Sequence, residues 1–393
     1  MSTISAASHI DMTSARSRVQ AIPWLVWASV VASVSIATGL YWDISWHETI
    51  GRDSFWTPAH LLIQFGAIMA ALSSAWVIMR TTFGSDSALR QNSVSVLGLR
   101  GPLGAFIAAW GGGAMVTSAP FDNWWHEAYG VDVKIISPPH ILLALGIAGI
   151  MWGGAILAVA EVNRATDDAQ RKKLNRILLL LGGFVIVHSM TLKLEYTNRV
   201  LLHSGIAYLV ISIGTLFLLE AMSRASGHRW ARTIITGVYT VFVLTMMWVL
   251  PLFPAQPKLG PVYQNITHMV PLPFPMLLVV PAFLLDLIWP LFKDAPKWQQ
   301  ALFGGVAFVA VLIAVEWPFA TFLMTPATRN AFFATVDFPY FALPTSPTVR
   351  HIFVQWETTP GAFRLNMALA FLASVISMGI GIIFGGWLRK VKR

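Results

Sequence analysis

Apolar stretches of about twenty residues recur along the whole of this 393-residue chain, and they constrain its fold more than any other feature. A helix needs roughly 20 consecutive apolar residues to cross a bilayer, whereas a strand of a membrane barrel needs only about ten that alternate. The runs here are continuous rather than alternating. They predict an all-α, polytopic integral membrane bundle of about ten spans in five hairpins. The candidate spans are residues 22–42, 57–79, 101–120, 138–161, 175–193, 200–222, 232–253, 272–292, 300–324 and 364–388. Charged residues make up only 11% of the chain, against about 25% in soluble domains, so no large soluble domain is expected.

The charges that remain have a direction. With the N-terminus inside, 19 of the 27 Lys and Arg residues fall in the inner segments. Basic residues concentrate on the cytoplasmic side of membrane proteins. Both termini are therefore expected in the cytoplasm, and the chain in a bacterial inner (plasma) membrane. The net charge of +9 reads as a topology signal. Nucleic acid is not expected as a partner, because no basic cluster in a soluble segment is interleaved with aromatics. The absence of cysteine excludes disulfides, thiolate metal sites and cysteine nucleophiles. Residues 1–21 read as a polar cytoplasmic tail, 22–161 as a four-helix module and 162–393 as a six-helix region without an assigned role.

Within the four-helix module one pattern occurs twice. The first copy comprises Asp43, Trp46, His47, Glu48, Gly51, Asp53, Pro58 and His60. The second comprises Asp122, Trp125, His126, Glu127, Gly130, Asp132, Pro138 and His140, offset by 79 residues at its start and 80 at its end. Asp and His four apart share one helix face, so both can reach one ion. The glycine permits a turn, and the proline suits the first turn of the next helix. Each hairpin would thus close Asp43, His47 and His60, or Asp122, His126 and His140, around a metal near the outer face. Two imidazoles and a carboxylate leave coordination positions open, as catalytic copper, iron or zinc sites do. Glu48, Asp53, Glu127 and Asp132 are candidates to orient the imidazoles from behind.

At these residues the chain resembles the C subunit of the copper membrane monooxygenases, the particulate methane and ammonia monooxygenases. The signature of that subunit is similar to Asp43, Trp46-His47, Thr49, Arg52-Asp53, Thr57-Pro58 and His60 at identical spacing. The resemblance implies that Asp43, His47 and His60 bind copper at a catalytic site. The family's second site is matched by His126, Pro138 and His140, with Asp122 where the family has Asn; the extra negative charge would hold a cation more firmly. The likeness covers about residues 40–146. It implies a monooxygenase, or its metal-bearing subunit, that oxidises a small apolar substrate with O₂. It further implies a quinol or other electron donor and a cupredoxin-bearing subunit among other membrane partners. A metal transporter built on the repeated hairpins and a non-catalytic structural or assembly subunit are the alternatives.

Other polar residues carry weaker expectations. His188, Glu195 and His203 could form a third polar site, although Lys193 and Arg199 are near enough to pair with Glu195. Glu316 beside Pro318 reads as a relay carboxylate or as one satisfied by freed backbone. Asp286 is expected to reach the interface. Gly111–Gly113 and the small residues of the fourth and tenth spans predict close helix packing. The connection over residues 325–363 is long enough to be functional.

Overall fold

The computed structural model describes residues 23–51, 55–130, 137–197, 201–258, 262, 265–334, 336, 357 and 359–393. The expected tail 1–21, together with Arg52, Asp53, Asp132 and Arg199, lies outside them.

Among the described residues the architecture is a helical bundle with one small β-hairpin. Helices α1 (Trp24–Thr49) and α2 (Pro58–Phe83) form the first hairpin. A short α3 (Ser87–Gln91) and the strands β1 (Val94–Val96) and β2 (Leu99–Gly101) lead to α4 (Leu103–Tyr129) and α5 (Pro138–Arg164). There follow α6 (Asp168–Thr191), α7 (Gly205–Ser226), α8 (Ala231–Val249), α9 (Val279–Ile288), α10 (Lys297–Leu323) and α11 (Pro360–Leu388). Eight of these helices are long and apolar enough to cross a membrane, so the chain is a multi-pass membrane protein.

The other two expected spans differ. Helix α4 is long, but its glycines, Thr117 and Ser118 dilute its apolar character. The eighth expected span, 272–292, is helical only from Val279, and a 3₁₀ turn at Trp289–Leu291 ends it. Pro271, Pro273 and Pro275 explain the late start, because each lacks an N–H and drives the residue before it out of the helical region. Two N–H groups of that non-helical stretch find side-chain acceptors. Met276 donates to the Tyr239 hydroxyl at 3.1 Å, and Leu277 donates to Glu316 Oε2 at 2.8 Å. Glu316 thus serves freed backbone, contributed by Leu277 on another segment rather than by the turn at Pro318.

Close approach of α4 and α5 depends on glycine. A Cβ on Gly111 would lie 2.6 Å from the Gly146 carbonyl oxygen, and one on Gly153 would lie 2.6 Å from that of Gly104. Gly113, by contrast, faces open space. Helix α6 then packs on α5 and α1, and one apolar core runs from Leu25 to Val391. The four-helix and six-helix regions therefore meet without a gap.

A buried ionic cluster joins α7, α8 and α9. Arg232 reaches Glu220 at 2.7 Å and Asp286 at 2.9 Å, and Arg224 reaches Glu220 at 2.6 Å. Asp286 also accepts from the Thr233 backbone N–H at 2.8 Å, which caps the start of α8. The expectation that Asp286 reaches the interface is corrected: its side chain is fully buried among these partners. Glu357, from the long connection, accepts from the N–H groups of Gly205 (2.9 Å) and Ile206 (2.7 Å). A carboxylate placed at a helix N-terminus satisfies donors that have no intrahelical partner.

Candidate metal centres

Both copies of the repeated pattern occupy hairpin tips at the same end of the bundle. Helix α1 runs on to Thr49 and α4 to Tyr129, past the expected ends at 42 and 120. Each Asp/His pair therefore projects from a regular helix, one turn apart. The next helix begins with proline in its first turn, at Pro58 or Pro138, and His60 or His140 follows two residues later. Thr57 caps α2 by accepting the N–H of His60. The repeated glycine ends the ascending helix in both copies. Gly51 has φ 72° and Gly130 φ 85°, a region that favours a residue without a Cβ.

The side chains converge. In the first copy Asp43 Oδ1 lies 3.2 Å from His60 Nε2, and Asp43 Oδ2 lies 3.8 Å from His47 Nε2. In the second, Asp122 Oδ1 lies 3.5 Å from His126 Nε2 and 3.6 Å from His140 Nε2. Two ligands each about 2.1 Å from one ion can be at most about 4.2 Å apart, so all four separations fit a shared cation. Asp43, His47 and His60 are the one trio among the described residues whose donor atoms all lie within 4.8 Å of one another. The second trio is more open. It is also wetter, with Asp122 29% exposed against 15% for Asp43.

The hydrogen-bond pattern points the same way. Asp43 Oδ1 and Asp122 Oδ1 are both buried and neither accepts a hydrogen bond. A buried carboxylate oxygen in that condition carries a desolvation cost that a cation would offset. At His126, Nδ1 lies 3.0 Å from the Gly130 carbonyl oxygen. A carbonyl only accepts, so Nδ1 carries the proton, and in the neutral ring the Nε2 lone pair faces Asp122. Lone pairs from carboxylate and imidazole then point at one another, as in a ligand set awaiting a positive charge.

Of the residues expected to support the imidazoles, Glu127 accepts a hydrogen bond from Asn123 at 2.8 Å. Glu48 is an exposed residue in the last turn of α1. Asp53 and Asp132 lie outside the described residues.

Sequence reasoning missed three supports. One is the Gly130 carbonyl. The others are Ser45 and Thr49, which share a face of α1 and grip a distant segment: Ser45 Oγ donates to the Val270 carbonyl at 2.6 Å, and the Val270 N–H donates to Thr49 Oγ1 at 2.7 Å. Nearby, the Lys258 N–H donates to the Ile50 carbonyl at 3.0 Å. Hydroxyls at i and i+4 on the helix that carries Asp43 and His47 were the available signal.

The possible third site does not assemble. His188 Nε2 donates to the Ala144 carbonyl at 3.1 Å, and His203 Nε2 lies 2.9 Å from Thr321 Oγ1. Lys193 turns inward to Ser189 (3.0 Å) and Thr215 (2.7 Å). Burial lowers its ammonium to about 7. Because its folded value is depressed, the unfolded chain binds more protons above that pH, and stability rises with pH from about 7 toward the ordinary lysine range. The penalty is fully present below 7. Lys193→Met is expected to stabilise the protein most at neutral pH and below, with the gain shrinking as pH rises; unfolding midpoints across that range check it.

No family model, no curated protein and no solved structure matches this chain.

Proposed function

We propose that this chain is the metal-bearing membrane component of a copper-dependent monooxygenase-like system. In this reading Asp43, His47 and His60 hold one metal, and Asp122, His126 and His140 hold a second. The observation that carries the reading is the pair of buried carboxylate oxygens, one per repeat, neither accepting a hydrogen bond: Asp43 Oδ1 faces His60 while its Oδ2 faces His47, and Asp122 Oδ1 faces both His126 and His140. Copper as the resident metal rests on the resemblance over residues 40–146; the donor set of nitrogen and oxygen also suits iron or zinc.

A bound copper ion would supply one-electron chemistry with O₂, using electrons from a quinol or another donor. The protein's own part is positional. Ser45 and Thr49 hold the end of α1 so that Asp43 and His47 stay aligned with His60. The Gly130 carbonyl fixes the His126 tautomer so that Nε2 is free to ligate. Apolar helices around both hairpins would admit a small hydrophobic substrate through the bilayer and exclude water. A ten-span topology with both termini in the cytoplasm of a bacterial cell, and a cupredoxin-bearing partner, complete the proposal.

The test is metal analysis of the purified protein beside His60→Ala and His140→Ala. Each variant is expected to lose the metal of its own hairpin and keep the other, with helical content unchanged. Equal metal in all three proteins would end the reading.

A further inference from the structure

A cavity of about 420 Å³ opens beside His140, and no part of the metal chemistry accounts for it. One wall is a stripe of α5 (His140, Ala144, Ala148 and Trp152, each four residues on from the last), and the opposite wall is Val185, His188 and Ser189 of α6 with Leu192 just past its end. Twelve residues of helix separate His140 from Trp152, about 18 Å along the axis. The space is therefore long and narrow. Its width is set by the two alanines, where larger side chains would close it.

The lining changes character along that length. At the hairpin end stand His140, Ser189, Glu195 and Tyr196; at the far end only Met151, Trp152, Val185 and Leu218 remain. Polar groups gathered at one end of an apolar slot orient a ligand and select it. Leu145 and Leu192 on the rim are about half exposed, so the slot is reachable from the apolar surroundings of the bundle.

We infer that this slot binds an unbranched, uncharged amphiphile, of the class of medium-chain alkanols, with its hydroxyl among His140, Ser189 and Tyr196 and its chain along α5 to Trp152. A carboxylate head is disfavoured by the Glu195 carboxylate in the lining, and a bare alkane would bring no polar group to that end. The inference rests on the proposed function only in making His140 a metal ligand as well as a wall of the slot. Under that reading the carbons nearest the hydroxyl lie beside the second centre.

The probe is a diazirine-bearing decanol, photolysed with the purified full-length protein in detergent and mapped by peptide mass spectrometry. Saturable labelling is expected on residues 140–152 and 185–196. Decanol should displace it at least tenfold better than n-decane or decanoate. Ala148→Trp fills the slot and should abolish labelling. Leu145→Trp at the exposed rim cannot perturb the core and should reduce labelling severalfold. His126→Ala removes a ligand of the second hairpin that does not line the slot, so it should lose metal yet keep labelling, which separates this inference from the metal reading. Labelling that does not saturate, that persists in both tryptophan variants, or that n-decane displaces as well as decanol overturns the assignment.

Discussion

Arg232→Leu is expected to lower the stability of the folded protein by about 3–5 kcal/mol, the usual cost of removing one partner from a buried ion pair. Arg232 is 4% exposed and contacts two carboxylates, Glu220 (1% exposed) and Asp286 (fully buried). Glu220 would keep Arg224. Asp286 would keep only the Thr233 N–H and hydroxyl, which cannot balance a charge. The guanidinium also lies 4.1 Å from the centroid of the Trp289 ring, and that contact would be lost with it. Unfolding in mixed detergent micelles measures the effect. The double variant Arg232→Met with Asp286→Leu removes both charges and should recover part of the loss. A single variant within about 1 kcal/mol of the parent, as for a surface pair, would mean that the cluster is solvated.

The second large effect is expected at Gly111. Atoms of Gly146, Gly149 and Ile150 backbone would lie within 2.9 Å of any Cβ there, and backbone cannot rotate away. Gly111→Leu must therefore push α4 from α5, at about 1–3 kcal/mol or more for overpacking. Displacement at that contact carries His126 away from His140, because one rides on each helix. Under the proposed function, the variant should lose metal from the second hairpin while the first retains its own. Gly113→Leu is the control: it has open space around its Cβ position and should leave both sites loaded. Loss of both metals in Gly111→Leu would point to general unfolding and against a local role for this helix contact.

The second of these features was legible in sequence and the first was not. Long apolar runs announced the helices, and Gly111 announced a tight contact, because in lipid both follow from local composition. Asp286 was misplaced in the sequence reading because its partners, Arg232 and Glu220, sit on helices whose packing no local pattern reveals. The eighth expected span, 272–292, is helical over a shorter stretch for the same kind of reason. Its apolar content looked continuous, and the prolines at 271, 273 and 275 mattered only once Glu316 and Tyr239 were seen receiving the freed N–H groups. At the hairpins, Asp43, His47 and His60 were readable from spacing alone, since helix periodicity and a proline-led second helix nearly dictate their meeting. The orienting role of Gly130 was not, because a backbone carbonyl has no sequence signature.

The bonds from Ser45 and Thr49 to Val270 span more than 220 residues of chain. A ribosome must therefore translate and insert more than half of the protein before the first hairpin receives its brace. Under the proposed function, metal loading at Asp43 would accordingly be a late event in biogenesis, and nascent chains halted short of residue 270 should present that ligand set in an unfinished form.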